Sequence, residues 1–146
     1  MTKSIGEIMT EKLETLSSSA TAQEAAKKMR DKNVSSLVVI DSNHKAMGIV
    51  TERSLVRKIC INDSRSSSIL IQDIMSSPLI TIDSNSPVEA AADVMMQNNV
   101  RHLLVVDNND INRPLGIITS TDFASYLKEN LNMDEVNAKI LESLKV

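Results

Sequence analysis

The sequence predicts a mixed α/β (α+β) fold in which one unit, ordered strand, helix, strand, strand, helix, occurs twice. The first observation is an internal repeat: Ile8-Met9 recurs as Ile74-Met75, and Asn33-Val34 recurs as Asn99-Val100. The second is a pair of short apolar runs in each half, suited to buried strands and joined by a polar turn. Each half alone has few strands and little apolar surface, so we expect the two to share a core.

The first unit, residues 1–62, starts with a short helix and ends with a longer one. Its predicted elements are a helix at 4–9, a strand at 15–17, a helix ending near 32, strands at 36–40 and 46–50, and a helix at 52–61. The first long helix begins at Thr21, because Thr21 and Glu24 have the spacing of a capping box. Small side chains at Ala25 and Ala26 allow this helix to lie close against a sheet.

A Ser-rich linker at 63–69 leads to the second unit, residues 70–130, which repeats the plan. Its predicted elements are a helix at 70–75, a strand at 79–82, a helix ending near 98, strands at 102–106 and 115–119, and a helix at 120–130. The long helix has Ser86 as its cap, Pro87 at the first helical position and Glu89 as the reciprocal acceptor. The two units therefore have matching elements.

A tail at 131–146 lies outside the repeat. Asn132 and Glu135 have the spacing of a helix cap, and apolar residues follow at helical intervals. These apolar residues are Met133, Val136, Ile140, Leu141 and Leu144. The polar face is mixed rather than basic, so we expect this amphipathic helix to pack on its own domain or on a second subunit rather than on a membrane.

Composition limits the class of protein. The net charge of −3 over 146 residues gives no electrostatic footprint for general nucleic-acid binding. The single cysteine, Cys60, excludes an internal disulfide and a cysteine-cluster metal site. No apolar segment approaches the ~18 residues that span a membrane, and the N-terminus has no signal-peptide segment. We therefore expect a cytoplasmic protein without a membrane partner.

A binding site is predicted where the last strand of the second unit meets its closing helix. Thr119 and Asp122 lie three residues apart, so on a first helical turn both face the same way, beside free backbone N–H groups. A carboxylate there can accept hydrogen bonds from both hydroxyls of a ribose diol.

The repeated motifs resemble those of the tandem cystathionine-β-synthase (CBS) domain pair, also called a Bateman module. The first copies are Ala25-Ala26-x-x-Met29, Leu37-Val38-Val39-Ile40-Asp41 and Gly48-Ile49-Val50-Thr51, and the second are Ala91-Ala92-x-x-Met95, Leu103-Leu104-Val105-Val106-Asp107 and Gly116-Ile117-Ile118-Thr119-x-x-Asp122. The resemblance implies two repeats packed through their sheets with pseudo-two-fold symmetry, two clefts that bind AMP, ADP, ATP or S-adenosylmethionine, and a homodimer of pairs.

The resemblance also assigns roles in the second-repeat cleft. Asp122 matches the ribose-binding carboxylate and Thr119 its hydroxyl neighbour. Arg101 and His102 match basic positions near the phosphates, and Arg53 of the first repeat matches a position that can reach across to them. The positions that match the adenine slot are Ile80, Thr81, Val100 and Ile118.

The first-repeat cleft departs from the pattern. It keeps Thr51 but has Ser54 where a carboxylate is expected, and Ser35-Ser36 where the second repeat has Arg101-His102. One neutral hydroxyl cannot accept from two ribose hydroxyls as a carboxylate can. We expect this second site to be weak or empty.

The leading hypothesis for function is a stand-alone regulatory module that senses an adenine nucleotide and acts on a separate, unidentified protein partner. It needs no obligatory cofactor and no metal site, and Mg²⁺ would arrive only with the nucleotide. Two alternatives stay open: a module that binds S-adenosylmethionine, and a scaffold or RNA- or ribosome-associated adaptor with vestigial clefts. An enzyme is disfavoured, because His44 and His102 belong to no arrangement typical of nucleophilic catalysis.

Overall fold

The computed structural model describes residues 3–77, 79–130 and 133–144. In chain order the elements are α1 (Ile5–Ile8), β1 (Thr15–Ser17), α2 (Ala22–Lys32), β2 (Ser36–Ile40), β3 (Ala46–Thr51), α3 (Glu52–Leu55), β4 (Thr81–Asp83), α4 (Val88–Asn98), β5 (His102–Asp107), β6 (Asp110–Thr119), α5 (Ser120–Asn130) and α6 (Met133–Leu144). A π-helical turn at Val56–Cys60 continues α3, and 3₁₀ turns lie at Ser66–Ser68 and Ile71–Asp73. The predicted mixed fold with two repeated units is confirmed.

Each unit contains a three-stranded sheet with the same topology. In the first sheet β1 runs parallel to β2, and β3 runs antiparallel to β2. The second sheet repeats this with β4, β5 and β6. Thr15 pairs with Val38 and Thr81 with Leu104, so corresponding residues occupy corresponding places in the two sheets.

The two sheets face each other across a shared apolar layer. Val38 of β2 packs in one buried cluster with Leu104, Val106 and Ile117 of the second sheet. Each sheet also packs its other face against its own helices. Neither unit can bury its sheet without the other, which explains why two small repeats form one stable body.

The leading segment of each unit packs in the core of the other unit. Ile5, at the start of the chain, is fully buried with Leu103 and Ile118 of the second unit. Ile71 and Ile74, which begin the second unit, are buried in the core of the first. The boundaries at 1–62, 63–69 and 70–130 stay a prediction. They divide the sequence into its repeats, whereas each apolar core contains side chains from both units.

Two glycines allow this exchange. Thr10 and Ile117 exchange backbone hydrogen bonds of 2.8 and 3.0 Å, and a Cβ on Gly116 would lie 2.5 Å from the Thr10 carbonyl oxygen. In the first unit, a Cβ on Gly48 would lie 2.5 Å from the carbonyl oxygen of Ser76. The same pairing of two backbone segments occurs in both halves, so each place requires a residue without a side chain.

Several predicted elements differ from those observed. The helix predicted at 70–75 is the short 3₁₀ turn Ile71–Asp73, in which the N–H of Asp73 donates to the Leu70 carbonyl and the N–H of Ile74 donates to the Ile71 carbonyl, each at 3.0 Å. The strand predicted at 79–82 is β4, which begins later, and the last strand begins earlier, at Asp110. The helix predicted at 52–61 changes from α to π geometry after Leu55.

The predicted cap of α4 is also wrong. Pro87 is the N-cap rather than the first helical residue, and no side chain caps this helix. The first helical N–H, that of Val88, instead donates to the carbonyl of Lys3 at 3.3 Å. The predicted Thr21 cap of α2 is confirmed, since the Thr21 hydroxyl accepts from the N–H of Glu24 at 3.2 Å.

The tail forms the predicted helix, α6, but its described apolar side chains are exposed. Ile140, Leu141 and Leu144 are 51, 62 and 73 % exposed. These three side chains therefore do not pack on their own domain, which was one of the two predicted alternatives. Packing on a second subunit stays a prediction. The cap predicted at Asn132 lies outside the described residues, as do the side chains of Met133, Glu135 and Val136. None of the described helices combines the length and the apolar character needed to cross a membrane.

Candidate functional site

Two cavities lie between the units, one at each junction of a last strand with its closing helix. The first, called the Asp122 cavity, has a volume of about 720 Å³. The second unit contributes Thr119 and Asp122 to it, and the first unit contributes Thr10, Val34 and Ser36. Each cavity therefore needs both units, because the facing sheets bring the helix start of one unit to the strand start of the other.

The second, called the Ser54 cavity, has a volume of about 600 Å³ and the corresponding composition with the units reversed. The first unit contributes Thr51 and Ser54, and the second contributes Ser76, Asn99 and Val100. These are the repeat equivalents of the residues in the Asp122 cavity, so the two cavities are related by the pseudo-two-fold symmetry of the fold.

The Asp122 carboxylate is held in a fixed orientation. Its Oδ2 accepts from the Thr119 N–H at 3.0 Å, and the Asp122 N–H donates to the Thr119 hydroxyl at 3.1 Å. The Thr10 hydroxyl donates to the carboxylate at 3.1 Å from Oδ1 and 3.2 Å from Oδ2. Thr119 and Asp122 thus form a reciprocal cap that starts α5 and aims the carboxylate along the cavity wall.

Thr10 is a site residue that the sequence analysis missed. Its place directly after the repeated Ile8-Met9 motif, and its equivalence to Ser76, were visible in the sequence. The repeat did not reveal that this segment crosses to the other unit, which is what brings Thr10 to Asp122.

The remaining predicted site residues divide between the two cavities. Ile80, Val100 and Arg53 line the Ser54 cavity rather than the Asp122 cavity. Ile118 is fully buried in the core of the second unit, and Thr81 is absent from the described lining of both cavities. The predicted grouping around Asp122 therefore differs from the structure, since strand starts line the cavity of the opposite unit.

Four residues line both cavities and form their shared wall: Ser35, Glu52, Arg101 and His102. Ser35 Oγ lies 3.2 Å from Nε2 of His102. Ser35 is the repeat equivalent of Arg101, so the two units meet at this wall through equivalent segments. Because the two cavities have these side chains in common, a change at this wall affects both.

The surroundings of His102, which the resemblance places at a basic position, favour the neutral form of its imidazole. Burial lowers its pKa below the ordinary value of 6.5, the nearby Asp122 charge opposes this, and the Arg101 charge adds to it. Arg101 is exposed and supplies the permanent positive charge of the shared wall.

The two cavities differ in charge. Three carboxylates and three cations line the Asp122 cavity, namely Glu14, Glu52, Asp122, Lys12, Arg30 and Arg101. One carboxylate and four cations line the Ser54 cavity, namely Glu52, Arg53, Arg57, Lys58 and Arg101. The charges that line the Asp122 cavity thus balance, whereas those that line the Ser54 cavity have an excess of three positive charges.

Metal binding has no support in the described part of the chain. No group of three or more His, Cys, Asp or Glu side chains there is placed to hold an ion. A magnesium ion brought by a nucleotide stays a prediction.

Comparison with known proteins identifies the same repeat. The family described as CBS domain matches this chain twice, over residues 5–60 and 71–129. An uncharacterized protein from Methanopyrus kandleri is 34 % identical over 82 % of this chain and 60 % of its own length. An uncharacterized 17.7 kDa protein from Acidianus ambivalens is 32 % identical over 87 % of this chain and 74 % of its own length.

A solved structure shows the same architecture with ligands bound. The CBS domain pair of protein MJ0100, crystallised in complex with 5′-methylthioadenosine and S-adenosyl-L-methionine, is 27 % identical to this chain, with a TM-score of 0.78. The match covers 90 % of this chain and 100 % of the MJ0100 chain.

Proposed function

This chain is a member of the CBS domain family, and we propose that its Asp122 cavity binds an adenosyl ligand through the ribose diol. CBS pairs are typically regulatory modules. The observation that carries the proposal is the orientation of the Asp122 carboxylate, which Thr119 and Thr10 hold at the wall of a cavity large enough for a nucleoside.

The carboxylate retains capacity for the ligand. A carboxylate has about four acceptor positions. The Thr119 N–H occupies one of them, and the Thr10 hydroxyl approaches both oxygens from one side. Two ribose hydroxyls can take the remaining positions, with rotation of the Thr10 hydroxyl where needed. Val34 and Met29 supply apolar surface in the same cavity for the base.

Charge favours a ligand with few phosphates. The equal numbers of carboxylates and cations leave no excess of positive charge to neutralise a long polyphosphate, whereas the exposed Arg101 can bind one phosphate group. AMP is therefore the first candidate among the adenine nucleotides, ahead of ADP and ATP.

S-adenosylmethionine is the second candidate. It has the same diol, needs no phosphate ligand and carries a positive sulfonium group, which suits a cavity that contains Glu14 and Glu52. The bound ligands of the MJ0100 pair support this alternative.

The proposed output is regulation of another protein or domain, without catalysis by this chain. A ligand regulates only if it binds one conformation more tightly than another. The cavity walls belong to two units that share a core, so a ligand held between them is well placed to favour one relative position of the units. A homodimer of pairs is part of the same proposal.

Isothermal titration calorimetry of AMP, ADP, ATP and S-adenosylmethionine tests the proposal, with Asp122→Asn run in parallel. Asparagine keeps the size and capping oxygen of aspartate but loses the charge and one diol acceptor, so we expect affinity to fall by about tenfold or more. Ser54→Ala is the matched control, because it alters the equivalent position of the other cavity. Equal affinity of the Asp122→Asn variant and the wild type would refute the assignment.

A further inference from the structure

We propose that the Ser54 cavity is a separate binding site for a nucleotide that carries a phosphate on its 2′ or 3′ oxygen. The cavity has the same place in the fold as the Asp122 cavity but a different chemistry at the position that meets the ribose. The proposal does not depend on ligand binding at Asp122.

The first observation is that Ser54 keeps the backbone geometry of its equivalent and loses only the charge. The Ser54 N–H donates to the Thr51 hydroxyl at 3.1 Å, as the Asp122 N–H does to Thr119. The Ser54 hydroxyl lies 3.1 Å from the Thr51 hydroxyl, and either can donate. When Thr51 donates, the Ser54 proton is available to a ligand oxygen.

This difference reverses the preference for the substituent on the ribose. A phosphate on the diol would face a carboxylate in the Asp122 cavity and be repelled. In the Ser54 cavity the same phosphate would meet a hydroxyl donor, and the exposed Arg53, which also lines this cavity, adds a cation. A free diol, by contrast, finds no carboxylate acceptor there.

The second observation is the positive charge of the cavity. Arg57 lies on the helical turn after Ser54, and Arg101 projects from the opposite unit. Among the described residues, neither forms an ion pair. Lys58 donates to the Ile74 carbonyl at 2.8 Å, which holds its ammonium group near the wall. These cations can neutralise two phosphate groups, one on the diol and one on the 5′ oxygen.

The third observation separates a nucleotide from a bare anion. Ile49, Ile80 and Val100 give the cavity an apolar wall, which an inorganic phosphate would not need. Asn99, held in the left-handed conformation at φ 52°, ends α4 at the same place and turns the chain into Val100. A base can lie against this wall while the phosphates remain among the cations.

Titration calorimetry of the full chain tests the proposal with adenosine 3′,5′-bisphosphate, AMP and tripolyphosphate. Wild type should bind the bisphosphate with a single equivalent per chain, and Asp122→Asn should retain that binding. Ser54→Asp should weaken it by about tenfold or more, because the new carboxylate faces the 3′-phosphate. Ser54→Asn, of similar size but neutral, should stay close to wild type.

Both Ser54 variants should fold, since the Thr119 and Asp122 pair shows that an acidic residue fits this cap, and thermal unfolding of each variant verifies this. Absence of bisphosphate binding to wild type would overturn the proposal. Loss in Asp122→Asn with retention in Ser54→Asp would place the ligand in the other cavity, and equal weakening by both Ser54 variants would exclude the charge argument. If tripolyphosphate bound as tightly as the bisphosphate, the cavity would be a general anion site, and the proposal of a nucleotide site would be wrong.

Discussion

The hydroxyl of Thr10 donates to the carboxylate of Asp122 at 3.1 Å, although the two residues lie 112 positions apart in the chain. The contact exists because the leading segment of the first unit pairs with β6 of the second, where the Thr10 N–H donates to the Ile117 carbonyl. The candidate site is thus assembled by the same exchange that joins the two cores.

Replacing Thr10 by valine should weaken adenosyl ligands without unfolding the protein. Valine keeps the branched shape of threonine but removes the hydroxyl that orients Asp122, so we expect a loss of about three- to tenfold in affinity. Thr10→Ser, which retains the hydroxyl, is the control and should bind like the wild type. Calorimetric titration measures both, and equal affinities for the valine and serine variants would show that Thr10 does not orient the carboxylate.

Gly116→Ala should destabilise the fold. The added Cβ would lie 2.5 Å from the Thr10 carbonyl oxygen, and this neighbour is backbone that is itself paired with Ile117. Separating the two backbone segments should lower the free energy of unfolding by about 1–3 kcal/mol. Urea unfolding measures the effect.

Gly6→Ala provides the control for that experiment. Its Cβ would lie 3.3 Å from the Ser84 carbonyl oxygen, a contact that a small shift relieves, and alanine favours the helix α1. A Gly116→Ala variant as stable as Gly6→Ala would mean that the exchanged segment adjusts freely and does not fix the site.

Stability should decrease as the pH falls from 7.5 to 5.5, and His102 should account for part of the decrease. Burial lowers the pKa of His102 below 6.5, so below that value the unfolded chain binds a proton that the folded chain resists. His102→Gln should flatten the dependence of the urea midpoint on pH across this window. His44→Asn, a change at an exposed turn with φ 62°, is the control for removing the chain's other histidine. Identical pH dependence in wild type and His102→Gln would contradict the burial argument.

The sequence was sufficient for the elements with strong local signals. The Thr21 cap and the Thr119 to Asp122 spacing placed α2 and α5 correctly, because caps and apolar periodicity act within a few residues. The repeat likewise identified Gly48 and Gly116 as equivalent, although their close backbone contacts could be seen only in the structure.

The composition of the cavities could not be predicted in the same way. A repeat shows that Val34 and Val100 are equivalent, but not which of the two cavities each one lines. Which cavity each residue lines depends on how the two sheets pack face to face. That packing places Val38 against Leu104 and Ile117, which are distant in the sequence. The helix predicted at 70–75 also depends on distant contacts, since the N–H of Ile71 donates to the Ala20 carbonyl of the first unit.

Arg101→Ala should weaken ligands in both cavities, whereas Arg53→Ala should affect only the Ser54 cavity. Arg101 lies in the shared wall, while Arg53 lines the Ser54 cavity alone. Loss of one charge-assisted contact to phosphate should lower affinity by about tenfold. AMP reports on the Asp122 cavity and adenosine 3′,5′-bisphosphate on the Ser54 cavity. If Arg101→Ala weakened only one of these ligands, the wall would be shared in position but not in binding, and the two sites would act independently.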